Sequence, residues 1–116
     1  MTIALIIFGG LLAFAAIGSA ISKLLKVPDV MAAMASVGVK PNVVPILALL
    51  EIAGGVGLIV GIWSPSLGLA ATIGLVLYFF GAVSSHLRAK SKIADAGAAI
   101  GILMISVVTL FLQLQR

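Results

Sequence analysis

Four nearly unbroken apolar blocks, at 2–22, 43–62, 66–85 and 96–113, divide this chain, and most of its charge lies in the stretches between them. Each block approaches the roughly 20 residues that a helix needs to cross a hydrocarbon core of about 30 Å. The runs are continuous where the strands of a membrane barrel would alternate. Hydrocarbon also offers no hydrogen bonds to a backbone, so the pattern predicts helices. The expected fold is all-α: an integral membrane four-helix bundle, built as a single transmembrane domain over residues 1–116 with short connections.

The first connection carries a pattern of its own. Pro28 and Asp29 are helix-start signals, Val30, Met31, Met34 and Val37 recur on one face, and Gly38 followed by Pro41 is a stop. A short interfacial helix of about two turns is predicted between helices 1 and 2. It serves either as a plain connector or as a cover over the bundle mouth that can dock a partner. The first block has a competing reading, because Gly18-Ser-Ala20 resembles the small-residue site that follows a signal peptide. Only Met-Thr precedes the apolar run, without a basic residue, so retention of this span is the expectation.

Composition fixes the solvent. The chain is 63% hydrophobic and 9% charged with three acidic residues, and its mean hydropathy is +1.38, which leaves too little polar surface to solvate a globule. The net charge of +4 falls in two clusters, Lys23, Lys26 and Lys40 in or beside the first connection and Arg88, Lys90 and Lys92 in the third. No aromatics interleave with them, so they indicate membrane topology and no nucleic-acid partner. The positive-inside rule puts both basic loops in the cytoplasm and both termini outside the cell (inner) membrane, with Trp63 as an outer anchor. A chain without cysteine forms no disulfides and holds no thiolate-bound metal, and a single histidine argues against a zinc or bis-histidine haem site within one subunit.

Helices in lipid associate through small residues that let backbones approach. Ala53, Gly57 and Gly61 recur in helix 2, Ala70 and Gly74 in helix 3, Gly97 and Gly101 in helix 4, and Ala15 and Ser19 in helix 1 with Gly18 alongside. They predict a compact bundle and leave a homo-oligomer open.

Against this background Glu51 stands out, a carboxylate among residues that are otherwise apolar, glycine or proline. Placed unpaired at bilayer depth it costs about 2.5–3.5 kcal/mol on insertion scales, so it requires a partner, a proton or water. If helix 2 starts at Pro45 and helix 1 runs on to Pro28, Glu51 and Lys23 lie roughly 9 Å and 7.5 Å from the same end. They are a candidate pair, with Gly54 and Gly55 making room. Lys23 alone is also explained as a snorkelling lysine, and Glu51 alone as a protonated or water-facing carboxyl. Tyr78 projects near the depth of Glu51, as a donor to it or as an ordinary core aromatic. His86 and Arg88 close helix 3, where cations suit the exposed carbonyls; His86 is also a candidate proton-exchanging group at a cavity mouth. Asp95 is expected to cap helix 4, and Gln113 and Gln115 to mark its polar exit.

These residues, a lysine closing helix 1 (Lys23-Leu-Leu), the segment Leu50-Glu-Ile-Ala-Gly-Gly-Val-Gly-Leu-Ile-Val-Gly61, a Trp-Ser-Pro turn and His86-Leu-Arg88, give the chain its resemblance to the DoxX-like family of small four-helix membrane proteins. The resemblance implies a bacterial inner-membrane protein. Some relatives are similar to the membrane subunit of a thiosulfate:quinone oxidoreductase, others are linked to oxidative-stress complexes, and distant animal relatives act as receptor-assembly chaperones. The function expected from it is a non-catalytic accessory or assembly subunit, not an enzyme on its own. It would bind a lipid-soluble ligand such as a quinone, hold no covalent cofactor, and meet the lipid bilayer, a second copy or a membrane or redox protein as partners. A small proton-coupled transporter and a membrane subunit of a quinone-linked oxidoreductase are the alternatives.

Overall fold

The computed structural model describes residues 2–90 and 93–116, and all regular structure among them is helical. Lys92, counted above in the second basic cluster, lies outside the described residues. The helices are α1 (Thr2–Leu24), α2 (Pro28–Ser36), α3 (Val44–Val60), α4 (Pro65–Ala89) and α5 (Ile93–Leu114). Three of them, over Ile3–Leu24, Pro65–Ala89 and Ile93–Leu114, are long and apolar enough to cross a membrane.

The boundaries differ from expectation for local reasons. The second block is helical only over 44–60: a turn in which the Val43 N–H bonds the Lys40 carbonyl delays its start, and Gly61 caps its end. Its 17 residues span about 25 Å. Helix α4 runs a turn further than predicted, through His86 and Arg88, and stops at Lys90 in the left-handed conformation. Helix α1 ends at Leu24 instead of continuing to Pro28. Lys26 adopts φ 55, its N–H bonds the Lys23 carbonyl, and Val27 bonds the Ser22 carbonyl, the hydrogen bonds of a Schellman stop. The same closure ends α2, where Gly38 at φ 81 bonds Ala35 and Val39 bonds Met34. Asp95 falls inside the first turn of α5 and not before it, so it complements the helix dipole without being the cap residue.

Helices α1, α3, α4 and α5 pack in a closed ring in which each touches the next, α1 on α3, α3 on α4, α4 on α5 and α5 on α1; α2 touches α1 lightly and buries no residue. The centre contains Leu12, Ala13, Ala16, Leu58, Leu75 and Phe79. Polar side chains share this interior: Glu51, Thr72, Ser106 and Thr109 are fully buried, and the three hydroxyls each bond a carbonyl of their own helix. The outside is the reverse, with Phe14 80% exposed and Ile3, Leu77, Phe80, Met104 and Phe111 well exposed beside it. An outer surface of large apolar residues around an interior that also holds polar side chains is the arrangement expected where the surrounding solvent is hydrocarbon. The length and apolarity of the three long helices agree with a membrane protein.

Close packing is concentrated on α3. A Cβ on Gly55 would meet the Ile17 side chain of α1 at 2.6 Å, one on Gly54 the Leu75 side chain of α4 at 2.5 Å, and one on Gly57 the Ala71 Cβ at 2.9 Å; Gly61 sits directly against the Gly68 backbone. Other small residues of the predicted stripes do not pack: Gly18, Gly74, Gly97 and Gly101 have open space where a side chain would be, and Ala53 and Ala70 are exposed. A four-residue interval fixes a face but not which neighbour it meets, and α3 has tightly packed glycines on two faces, Gly54 toward α4 and Gly55 toward α1.

Candidate functional site

The last turn of α1 and the middle of α3 meet in an ion pair. Lys23 Nζ lies 2.7 Å from Glu51 Oε1 and 2.7 Å from Ser19 Oγ, and Glu51 is completely buried. With α1 ending at Leu24, Lys23 is nearer the helix end than the sequence suggests, and Glu51 lies seven residues, roughly 10 Å, into α3. They still meet because side chains lean toward the N-terminus of their own helix. In two antiparallel neighbours that lean sends Lys23 down toward the middle of the ring and Glu51 up toward its end. The Gly55 contact with Ile17, one turn further along α3, keeps the two backbones close enough for the reach. Of the pair's atoms, Glu51 Oε2 is buried without a hydrogen-bond partner. The Tyr78 phenol of α4 is within electrostatic range of the same carboxylate, and its ring packs edge-on against Phe79 with centroids 5.0 Å apart.

Above the pair opens a cavity of about 620 Å³, within the size range of small-molecule sites. Its walls are apolar and come from Phe79, Phe80, Ala82, Ala99 and Ile102 of α4 and α5, from Leu47 of α3, and from Val30, Ala33 and Met34 of α2. Ser19, Lys23 and Tyr78 form its polar floor, and Asp29, His86, Arg88 and Asp95 its rim. The structure therefore gathers four of the five residues singled out in the sequence, Lys23, Tyr78, His86 and Arg88, around one space, with the fifth, Glu51, directly behind Lys23. His86 is buried and engaged by another group of the protein, while Arg88 is exposed.

Sequence reasoning overlooked three participants. Ser19 was visible only as a small residue, although its position four before Lys23 on one helix face signals the bond it makes. Asp29 and Asp95 were visible as helix-start residues, and their convergence on one rim depends on how α2 and α5 sit. A second polar group at the opposite end was also missed: Gln113 Nε2 donates to Thr72 Oγ1 at 3.3 Å, and Arg116 donates to the carbonyls of Gly61 and Ile62 at 2.8 and 2.9 Å and to Gln113 Oε1 at 3.0 Å. Nothing in their spacing announces that the end of α5 folds over the end of α3. Among the described residues no cluster of His, Cys, Asp or Glu has the arrangement of a metal site.

Comparison with curated proteins and with solved structures gives no match. The family comparison does: a model described as the DoxX-like family matches residues 7–109, a stretch that holds α2, α3 and α4 whole, the ion pair and every residue of the cavity. On that match the chain belongs to the DoxX-like family.

Proposed function

We propose that this protein is a multi-pass inner-membrane four-helix bundle that binds a lipid-soluble molecule with a polar head group, of which a quinone is one example, and serves as an accessory or assembly subunit. In this reading α1, α3, α4 and α5 span the bilayer, and α2 lies along the cytoplasmic interface as a cover. The observation that carries the proposal is the cavity, with apolar walls along its sides and Ser19, Lys23 and Tyr78 gathered at its floor. That division suits a ligand with an apolar body and one polar end. An accessory role fits better than proton-coupled transport, because Glu51 is held by Lys23 and sealed from the cavity behind it.

The test is native mass spectrometry of protein purified in mild detergent, with extraction of retained quinones and lipids and a parallel search for co-purifying proteins. The expected result is one retained lipid-soluble molecule per chain, lost from Ala33→Trp. That change fills the cavity from α2, which buries nothing and so tolerates the substitution. A folded wild-type protein that retains no such molecule and is not stabilised by added quinone or lipid overturns the reading.

A further inference from the structure

The charges around the cavity restrict its occupant further than size and apolarity do. A lysine ammonium has three N–H donors. Two of those on Lys23 are taken, by Ser19 Oγ and by Glu51 Oε1, each at 2.7 Å. The third has no acceptor among the described residues, and Lys23 lines the cavity floor. The floor thus presents a strong donor whose charge is already balanced, because the Glu51 carboxylate touches it and is fully buried beside it. The lining adds no unbalanced cation: Arg88 stands there with Asp29 and Asp95, Glu51 balances Lys23 from behind, and Lys26, Lys40 and Lys90, although at the same end of the ring, do not line the cavity. A carboxylate or phosphate head would have to leave water for a site with no unbalanced cation to receive it, which is unfavourable. A neutral carbonyl oxygen meets no such penalty and accepts the free N–H.

We infer that the cavity selects a neutral amphiphile whose head carries a carbonyl acceptor, as in a quinone or an acyl ester, and that Lys23 donates to that carbonyl while Glu51 sets the selectivity by cancelling the lysine charge. The inference rests on the ligand-binding reading above and specifies the class of ligand. Lys23 is the contacting residue; Glu51 acts through it.

The experiment uses the full chain in nanodiscs of neutral lipid at pH 7. Binding is measured for a short-tailed ubiquinone and for four ligands of one chain length: a fatty acid methyl ester, the free acid, an alkyl phosphate and the plain alkane. The ester or the quinone should bind on the order of tenfold more tightly than the acid, the phosphate and the alkane, the difference expected of a charge-assisted hydrogen bond. The ester and the quinone, compared directly, separate the two sources of a carbonyl. Glu51→Gln, which leaves the Lys23 charge unbalanced, should reverse the preference toward the acid and the phosphate. Acid or phosphate binding at least as tightly as both carbonyl ligands overturns this inference while leaving ligand binding intact, whereas binding of none of the five overturns the proposed function itself. An unchanged preference in folded Glu51→Gln also overturns it, and if that variant does not fold the wild-type ranking decides alone.

Discussion

Lys23 and Glu51 are separated by 28 positions in the chain and by 2.7 Å in the fold, and the contact closes the cytoplasm-facing half of α1 onto α3 in the proposed topology. The pair lies in a low-dielectric interior, where the loss of one partner leaves the other charge uncompensated. Removing one side of such a buried pair costs about 3–5 kcal/mol, whereas exchanging both sides for apolar groups of similar size is close to neutral. Glu51→Ala should therefore lower the thermal midpoint in detergent sharply. The double variant Lys23→Met with Glu51→Leu should regain most of the loss. Equal destabilisation by the single and the double variant would show that the pair contributes attraction of its own beyond charge balance.

Glycines on α3 differ in what a side chain would meet. At Gly61 the obstacle is the backbone of Gly68, which moves only if α3 and α4 separate; at Gly54 it is the Leu75 side chain, which can shift without the backbones parting. Overpacking a tight site costs roughly 1–3 kcal/mol, and flexible neighbours bring the figure down. Gly61→Ala is expected at the upper end of that range and Gly54→Ala at the lower, measured as the shift in unfolding in dodecyl maltoside. Gly97→Ala and Gly101→Ala, with open space at the Cβ, should be neutral or slightly stabilising through helix propensity. A large loss at Gly97 or Gly101 would instead reveal a partner on that face.

How far the sequence reaches is visible at these same residues. The helices were legible because each apolar run approaches about 20 residues, three of them long enough to cross a membrane, and the Lys23–Glu51 pair was among the few states open to a lone carboxylate in such a run. Gly54 and Gly55 were recognisable beside Glu51 for the same reason. The contact faces were not legible: Gly57 and Gly61 pack tightly while Gly97 and Gly101, spaced the same way, face outward. Spacing along one helix carries no information about the azimuth of its neighbour. The cavity itself takes part of its wall from α2, a tertiary placement that the short apolar face of α2 permitted without specifying.

The far end of the ring is closed by Arg116, whose guanidinium reaches the carbonyls of Gly61 and Ile62 just past α3 while also bonding Gln113. Those carbonyls carry the partial negative charge of the helix C-terminus, and the planar fork bonds two of them at once. The site is partly exposed, so Arg116→Ala should cost about 1 kcal/mol. Arg116→Lys should recover less than half of it, since a lysine cannot make both bonds from one rigid plane. Full recovery by lysine, read from thermal unfolding, would mean that charge alone matters there.

The proposed orientation in the membrane rests on where cations are concentrated and how they are used. Lys26, Lys40, Arg88 and Lys90 lie at the end of the ring that carries the cavity, whereas the turn between α3 and α4 holds Trp63, 79% exposed, and no charge. Arg116 is the one cation among the described residues at that second end, and it is spent on backbone carbonyls. The positive-inside bias therefore acts on the cavity end alone. The chain has no cysteine, so single cysteines introduced at exposed Asn42 and Trp63 report each side separately. In intact spheroplasts a membrane-impermeant maleimide should label Trp63→Cys and leave Asn42→Cys unlabelled until the cells are lysed. The reverse pattern would place the cavity end outside the cell and overturn the proposed topology.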